Sequence, residues 1–359
     1  MQTPQTTLPS DVQPPRRPAF TGGTLPRWAS WAVPAGAVAV AGALAVSGLN
    51  VLLAAILAAL VTGLGLYAWS RTVEGPRRAL DRLVTVTVTS AFLVALVPLV
   101  SVVVTVLQNG LARFDVEFFT YSMRGIVGEG GGAYHAIMGT LIITGLATVM
   151  SVPIGLLAAI YLVEYGRGRL ARAITFLVDV MTGIPSIVAG LFAYALFVVF
   201  FGPGVRMGFA GAVALSVLMI PVVIRSTEEM LKLVPNELRE AAYALGVPQW
   251  RTIVKVVIPT SIAGIATGVT LAIARVIGET APLLVTVGIT TSSNFSPFED
   301  SRMATLPVFA YYSYVAPGVP RDPYIDRAWT AALTLIIIVM ALNLAARLVS
   351  RLFAPKTGR

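Results

Sequence analysis

Two ionisable residues interrupt an otherwise apolar run, Arg275 and Glu279, four positions apart in Leu271-Ala272-Ile273-Ala274-Arg275-Val276-Ile277-Gly278-Glu279. That spacing puts both on one face of a helix, within reach of each other. A charge at the centre of a bilayer costs about 2.5–3.5 kcal/mol on insertion scales, so such residues face a protein interior or an aqueous path. An arginine fork matches the oxygens of a tetrahedral oxyanion and stays charged at any working pH. Glu279 can hold Arg275 when no anion is present. It also opposes anion binding, which suits a contact that must release what it admits. Two readings follow: an anion path, or an intrahelical ion pair that only fixes helix packing.

Other chemistries are excluded by residue type. The chain has no cysteine, so disulfides, thiolate metal sites and a cysteine nucleophile are ruled out. Its single histidine, His135, cannot build a multi-histidine metal centre and is expected as an interfacial side chain at the outer start of an apolar run. The three lysines follow Leu231, Val254 and Pro355, so no Gly-Lys-Ser/Thr phosphate loop exists. No metal, cofactor or catalytic residue is expected on this chain. If ATP drives the protein, another chain hydrolyses it.

The elements that must hold these charges are membrane helices. Apolar residues make up 56% of the 359 and charged residues 12%, about half the charged share of an ordinary globular domain. A bilayer core of about 30 Å needs about 20 apolar residues in a helix. Eight stretches qualify, at about 28–48, 50–70, 83–107, 136–163, 173–201, 207–225, 261–289 and 328–349. Pro185 and Pro282 fall inside the fifth and seventh and mark kinks or breaks. The net charge of +9 is unevenly placed: with the N-terminus inside, nineteen Lys and Arg lie on cytoplasmic segments and six outside. This supports eight spans with both termini cytoplasmic. Residues 1–27 read as a disordered tail, 28–82 as an accessory two-helix hairpin, 83–352 as the main membrane domain and 353–359 as a cytoplasmic tail. The Gly128–Gly132 run is expected as a flexible external connector. The proline-rich loop at about 290–327 is expected as an ordered irregular cap or an interaction surface. Asp179 is expected to pair with a basic neighbour, with a path role as the alternative.

The longest cytoplasmic connection, about 226–260, carries the most specific pattern. It reads Glu240-Ala241-Ala242, three residues, Gly246, nine residues, then Val256-Val257-Ile258-Pro259. Asn236 after Pro235 can cap a short helix, and Gly246 can take the left-handed position that ends it. Ala241 and Ala242 would leave a small-residue surface able to enter a cleft. The spacing resembles the "EAA" loop of bacterial ABC-importer permeases. There the element is the coupling helix, seated in a groove of the ATPase subunit. The resemblance implies that role for Glu240, Ala241, Ala242 and Gly246.

Further runs narrow the family. Arg275-Val276-Ile277-Gly278-Glu279-Thr280-Ala281-Pro282, Val223-Ile224-Arg225-Ser226-Thr227-Glu228-Glu229, Ile184-Pro185-Ser186-Ile187-Val188 and Ala159-Ile160-Tyr161-Leu162-Val163-Glu164-Tyr165-Gly166 resemble PstA-type phosphate-importer permeases. The resemblance implies an all-α type I ABC-importer (MetI-like) membrane fold and import of inorganic phosphate. It implies a PstC-like second permease, a PstB-like ATPase dimer that holds ATP and Mg, and a PstS-like extracytoplasmic binding protein. Arg275 and Glu279 would then line the phosphate path at the interface with the second permease. Arg225 joins them through its motif, with snorkelling to lipid phosphates as the competing explanation. A permease for molybdate, sulfate or phosphonate is the alternative within transport. A self-powered secondary transporter would leave the Glu240–Pro259 pattern unexplained.

Overall fold

A computed structural model of the chain describes residues 25–26, 28–46, 48 and 51–353. Most of the two expected tails lies outside them. All regular structure among the described residues is helical. The chain divides into two compact units that meet in sequence at 103–104.

In the first unit, α1 (Ala29–Val46) and α2 (Val51–Val73) pack as the expected hairpin. Many α1 side chains lie outside the described residues. Leu25, inside the expected disordered tail, is buried, and its N–H donates to Glu74 at 2.8 Å. The Ser70 hydroxyl and the Arg82 guanidinium bind the same carboxylate, at 2.7 Å and at 2.6 and 2.9 Å. α3 (Pro76–Gly110) is one continuous 35-residue helix, so the expected division at 82–83 falls inside a single element.

In the second unit, α4 (Val116–Thr120) precedes α5 (Tyr134–Ile160), which runs on through a π turn at Tyr161–Tyr165. α6 (Arg169–Gly183) and α7 (Ser186–Phe201) meet at 110°. The fifth expected span is therefore broken. Ile184, preceding a proline, is driven to extended backbone (φ −74°, ψ 128°), and Pro185 cannot continue the ladder. α8 (Gly208–Lys232) leads to the short α9 (Asn236–Ala244) and α10 (Gln249–Thr252). A second π turn at Ile253–Val257 opens α11 (Ile258–Val276). Six helices among the described residues are long and apolar enough to cross a membrane, and the bent α6–α7 pair adds a seventh if it counts as one span.

The seventh expected span differs most. Its helix begins earlier, at Gln249, ends at Val276 and restarts as α12 (Ala281–Thr286) with Pro282 in the first turn. The core of the unit joins α5, α8, α11 and α12 through Ile143, Leu215, Met219, Val223, Val276 and Leu283. Small residues let these backbones approach. At Gly190 of α7 a Cβ would lie 2.5 Å from Pro282 Cα, so α7 packs directly on the restart of the broken span.

At one end of the bundle the loops are ordered. The 290–327 loop contains α13 (Leu306–Val315), whose Leu306 and Val308 are fully buried. Its first N–H is received by the Thr140 hydroxyl of α5 at 2.8 Å. It is thus an ordered cap. The Gly128–Gly132 run is no flexible connector. Arg327 of α14 (Asp322–Phe353) is fully buried and donates to the carbonyls of Gly128 and Gly130 at 2.7 Å each. The Gly131 N–H donates to Glu117 at 2.7 Å, and its carbonyl receives Arg113 at 2.9 Å.

Candidate functional site

The other end of the bundle carries the Glu240-Ala241-Ala242 helix. α9 starts after Pro235, whose fixed φ suits a helix entry. Asn236 does not cap it: its side chain accepts from Arg239 at 3.3 Å. The helix ends in a Schellman motif. The Val247 N–H donates to the Ala242 carbonyl at 3.1 Å and the Gly246 N–H to the Tyr243 carbonyl at 2.9 Å. Gly246 sits at φ +73°, as its position in the pattern predicts. Glu240 and Ala241 are exposed, together with Leu238, Tyr243, Leu245 and Trp250. Ala242 is buried instead, on the inner face of the helix. The small-residue surface expected of both alanines is therefore Ala241 alone. Leu245 is 83% exposed and Trp250 58%, an apolar surface outside the membrane helices that asks for a protein cover.

What holds α9 on the bundle was not legible as a site in the sequence. Arg239 donates to Glu164 Oε1 from two nitrogens, at 2.8 and 3.1 Å. The same guanidinium donates to the carbonyls of Leu231 at 3.0 Å and Val234 at 2.6 Å. The side chains are 12% and 4% exposed, so this is a buried ion pair between α9 and the π turn that ends α5. Gln249, on the far side of the loop, donates to the Glu164 carbonyl at 2.8 Å. In the sequence Glu164 was one letter of an apolar run and Arg239 one more basic topology residue.

The intramembrane charges fall in two places. Arg275 is exposed on the last turn of α11, and Glu279 is half-buried in the turn beyond it. No ion pair joins them. α11 stops at Val276, and the Glu279 N–H turns back to the Val276 carbonyl at 3.1 Å, so the four-residue helical register that would have paired them is lost. Arg275 therefore has no carboxylate partner among the described residues. Arg225, by contrast, is doubly bound, by Asp179 of α6 and by Glu228 one turn on at 2.9 Å. Lys232 joins the same Glu228 at 2.6 Å. Asp179 thus meets the basic neighbour expected for it. Arg225 is held by carboxylates, where snorkelling would leave it unpaired. His135 is buried instead of interfacial, edge-on to Phe309 with ring centroids 5.5 Å apart. No cluster of three or more His, Asp or Glu able to hold a metal occurs among the described residues.

The family model for the binding-protein-dependent transport system inner membrane component matches residues 151–359, which include the broken α6–α7 pair, the α9 loop and the α11–α12 break. The chain is a binding-protein-dependent transport permease. Phosphate transport system permease protein PstA 1 of Mycobacterium tuberculosis is 48% identical over 276 residues, covering 76% of this chain and 89% of that protein. The PstA proteins of Mycobacterium leprae and Yersinia pestis are 48% and 39% identical, covering 76% and 78% of this chain and 90% and 92% of theirs. Among solved structures, the inward-facing MetNI methionine ABC transporter aligns at 20% identity and a TM-score of 0.48, covering 62% of this chain and 95% of that one. The permease is thus a transport subunit, a multi-pass protein of a prokaryotic inner membrane that works with an ATPase and a binding protein.

Proposed function

We propose that the permease is one transmembrane subunit of an ATP-driven inorganic phosphate importer. The observation that carries this reading is α9. The Glu240–Pro259 pattern begins on α9, which exposes Glu240, Ala241 and an apolar rim, and runs through α10 into the start of α11, in a chain 48% identical to a phosphate permease over most of its length. The second permease is PstC-like, the ATPase dimer PstB-like and the binding protein PstS-like. ATP and Mg sit on the ATPase. Closure of the ATPase dimer pushes α9 through Glu240, Ala241 and the turn at Gly246, while Ala242 seats the helix on the permease. Arg275 receives phosphate at the interface with the second permease: its guanidinium is exposed and unneutralised, and its fork fits the phosphate oxygens. Glu279, one turn further along, keeps that contact weak enough to release the ion. Nearer the α9 end, Arg225 accepts an anion only in exchange for Asp179, its more exposed partner.

The test is reconstitution of the four components in proteoliposomes with ATP inside and radiolabelled phosphate outside. Phosphate accumulates only with ATP and binding protein, and excess sulfate or molybdate leaves the rate unchanged. Competition by either oxyanion, or uptake without the ATPase, would defeat the reading.

A further inference from the structure

We infer that the buried Glu164–Arg239 pair is the joint through which the coupling helix moves α5, so that these two residues position the transmembrane path for each ATP cycle. The inference rests on the coupling reading of α9 above. Three observations converge. First, the chain joins α9 to α8 by the short 233–235 turn and to α11 through α10, and a buried ion pair with two hydrogen bonds fixes it to a third helix as well. Second, the α5 end is gripped from both sides of the loop, by Arg239 before α9's last turns and by Gln249 after them. Third, both gripped segments are π turns or abut one. Glu164 lies in the π turn Tyr161–Tyr165, and α9 packs on the π turn Ile253–Val257 that opens α11. Single π turns inside helices are rare and occur frequently at functional sites. A buried arginine paired to a buried glutamate transmits displacement where a solvent-screened pair would slip.

A purely structural role is the competing explanation. Arg239 also donates to the Leu231 carbonyl in the last turn of α8 and to the Val234 carbonyl just beyond it, and so caps that helix. Capping needs Arg239 but not Glu164, and this separates the two roles. Glu164→Gln keeps the size, one acceptor oxygen and the capping bonds while removing the charge that locks α9 to α5.

The experiment measures phosphate moved per ATP hydrolysed by the full complex in proteoliposomes. In Glu164→Gln the ATPase still copurifies in the wild-type ratio and hydrolysis continues. Phosphate per ATP falls at least about fivefold, the low end of typical coupling free energies. The reversed pair, Glu164→Arg with Arg239→Glu, recovers part of the loss. Gln249→Ala changes only an exposed side chain and gives a smaller drop in the same direction, so it carries the test if Glu164→Gln does not fold. A wild-type ratio in Glu164→Gln, or in Gln249→Ala where that variant stands alone, overturns the joint. Loss of the ATPase from the Glu164→Gln complex overturns it as well, because the pair would then serve docking. A wild-type complex that hydrolyses ATP without moving phosphate sinks the coupling reading itself and the joint with it.

Discussion

At the scale of single residues, the charges divide into those already satisfied and those left open. Arg275 is open. Arg275→Ala should abolish ATP-driven uptake while assembly and ATPase copurification persist. Arg275→Lys should recover little, because an ammonium cannot present the planar fork. Glu74 is the opposite case. Arg82 bonds its carboxylate and holds it down at about 2 against an ordinary value of 4.5. The folded value lies below the unfolded one, so this contribution is complete above about pH 4.5 and drains away as pH falls toward 2. Glu74→Gln should cost about 1–2 kcal/mol once screening of the more exposed Arg82 is allowed for. Hydrogen exchange at the Leu25 amide, corrected for intrinsic rate, checks both: protection should fall as pH drops from about 4.5 toward 2 in the natural chain and be low throughout in the variant. Residue types made Arg275 visible in the sequence, because one arginine in an apolar run needs no partner to stand out. Glu164–Arg239 and Asp179–Arg225 join residues 75 and 46 positions apart, and no spacing rule links such distant pairs.

At the scale of elements, α9 was legible because its signals are local: proline before, glycine after, helix formers between. Gly246→Ala tests how much its end matters. A Cβ at φ +73° costs about 1–2 kcal/mol. The Schellman turn should loosen and affinity for the ATPase should drop about tenfold, which titration of detergent-solubilised permease with the ATPase would measure. Unchanged affinity would mean that the turn is not part of the docked surface. The apolar runs located most crossing helices, but hydropathy has no term for where a helix stops. Pro282 and Pro307, which read as an interruption and as loop punctuation, each stand in the first turn of a helix, where the missing N–H is no loss. For that reason α13 was hidden inside a loop, and the α11–α12 break was read as a span carrying a paired Arg275 and Glu279. The Gly128–Gly132 run misled in the opposite direction. Glycine allows flexibility, but Arg327 donates to two of its carbonyls from a fully buried site. Arg327→Ala should therefore lower the thermal stability of the purified permease by about 2–4 kcal/mol, through two orphaned carbonyls and a cavity.

At the scale of the whole molecule, the decisive feature is an exposed arginine on a membrane helix. Arg275 is exposed and cannot face lipid at low cost, so cover by the proposed second permease is the arrangement to test. Leu271 lies one turn back on the same face and is 62% exposed. The natural absence of cysteine makes the face directly addressable. With a single Leu271→Cys, and single cysteines on the second permease, disulfide cross-linking should trap a heterodimer within the assembled complex. The same cysteine should react with a membrane-soluble maleimide in the isolated permease and be protected on assembly. If it stays reactive in the full complex and forms no cross-link, the face looks onto lipid, Arg275 serves packing or headgroup contact, and the phosphate path must run elsewhere. The overall +9 charge does not discriminate between these outcomes, because it is spread over loops that set topology. One protected thiol beside Arg275 does.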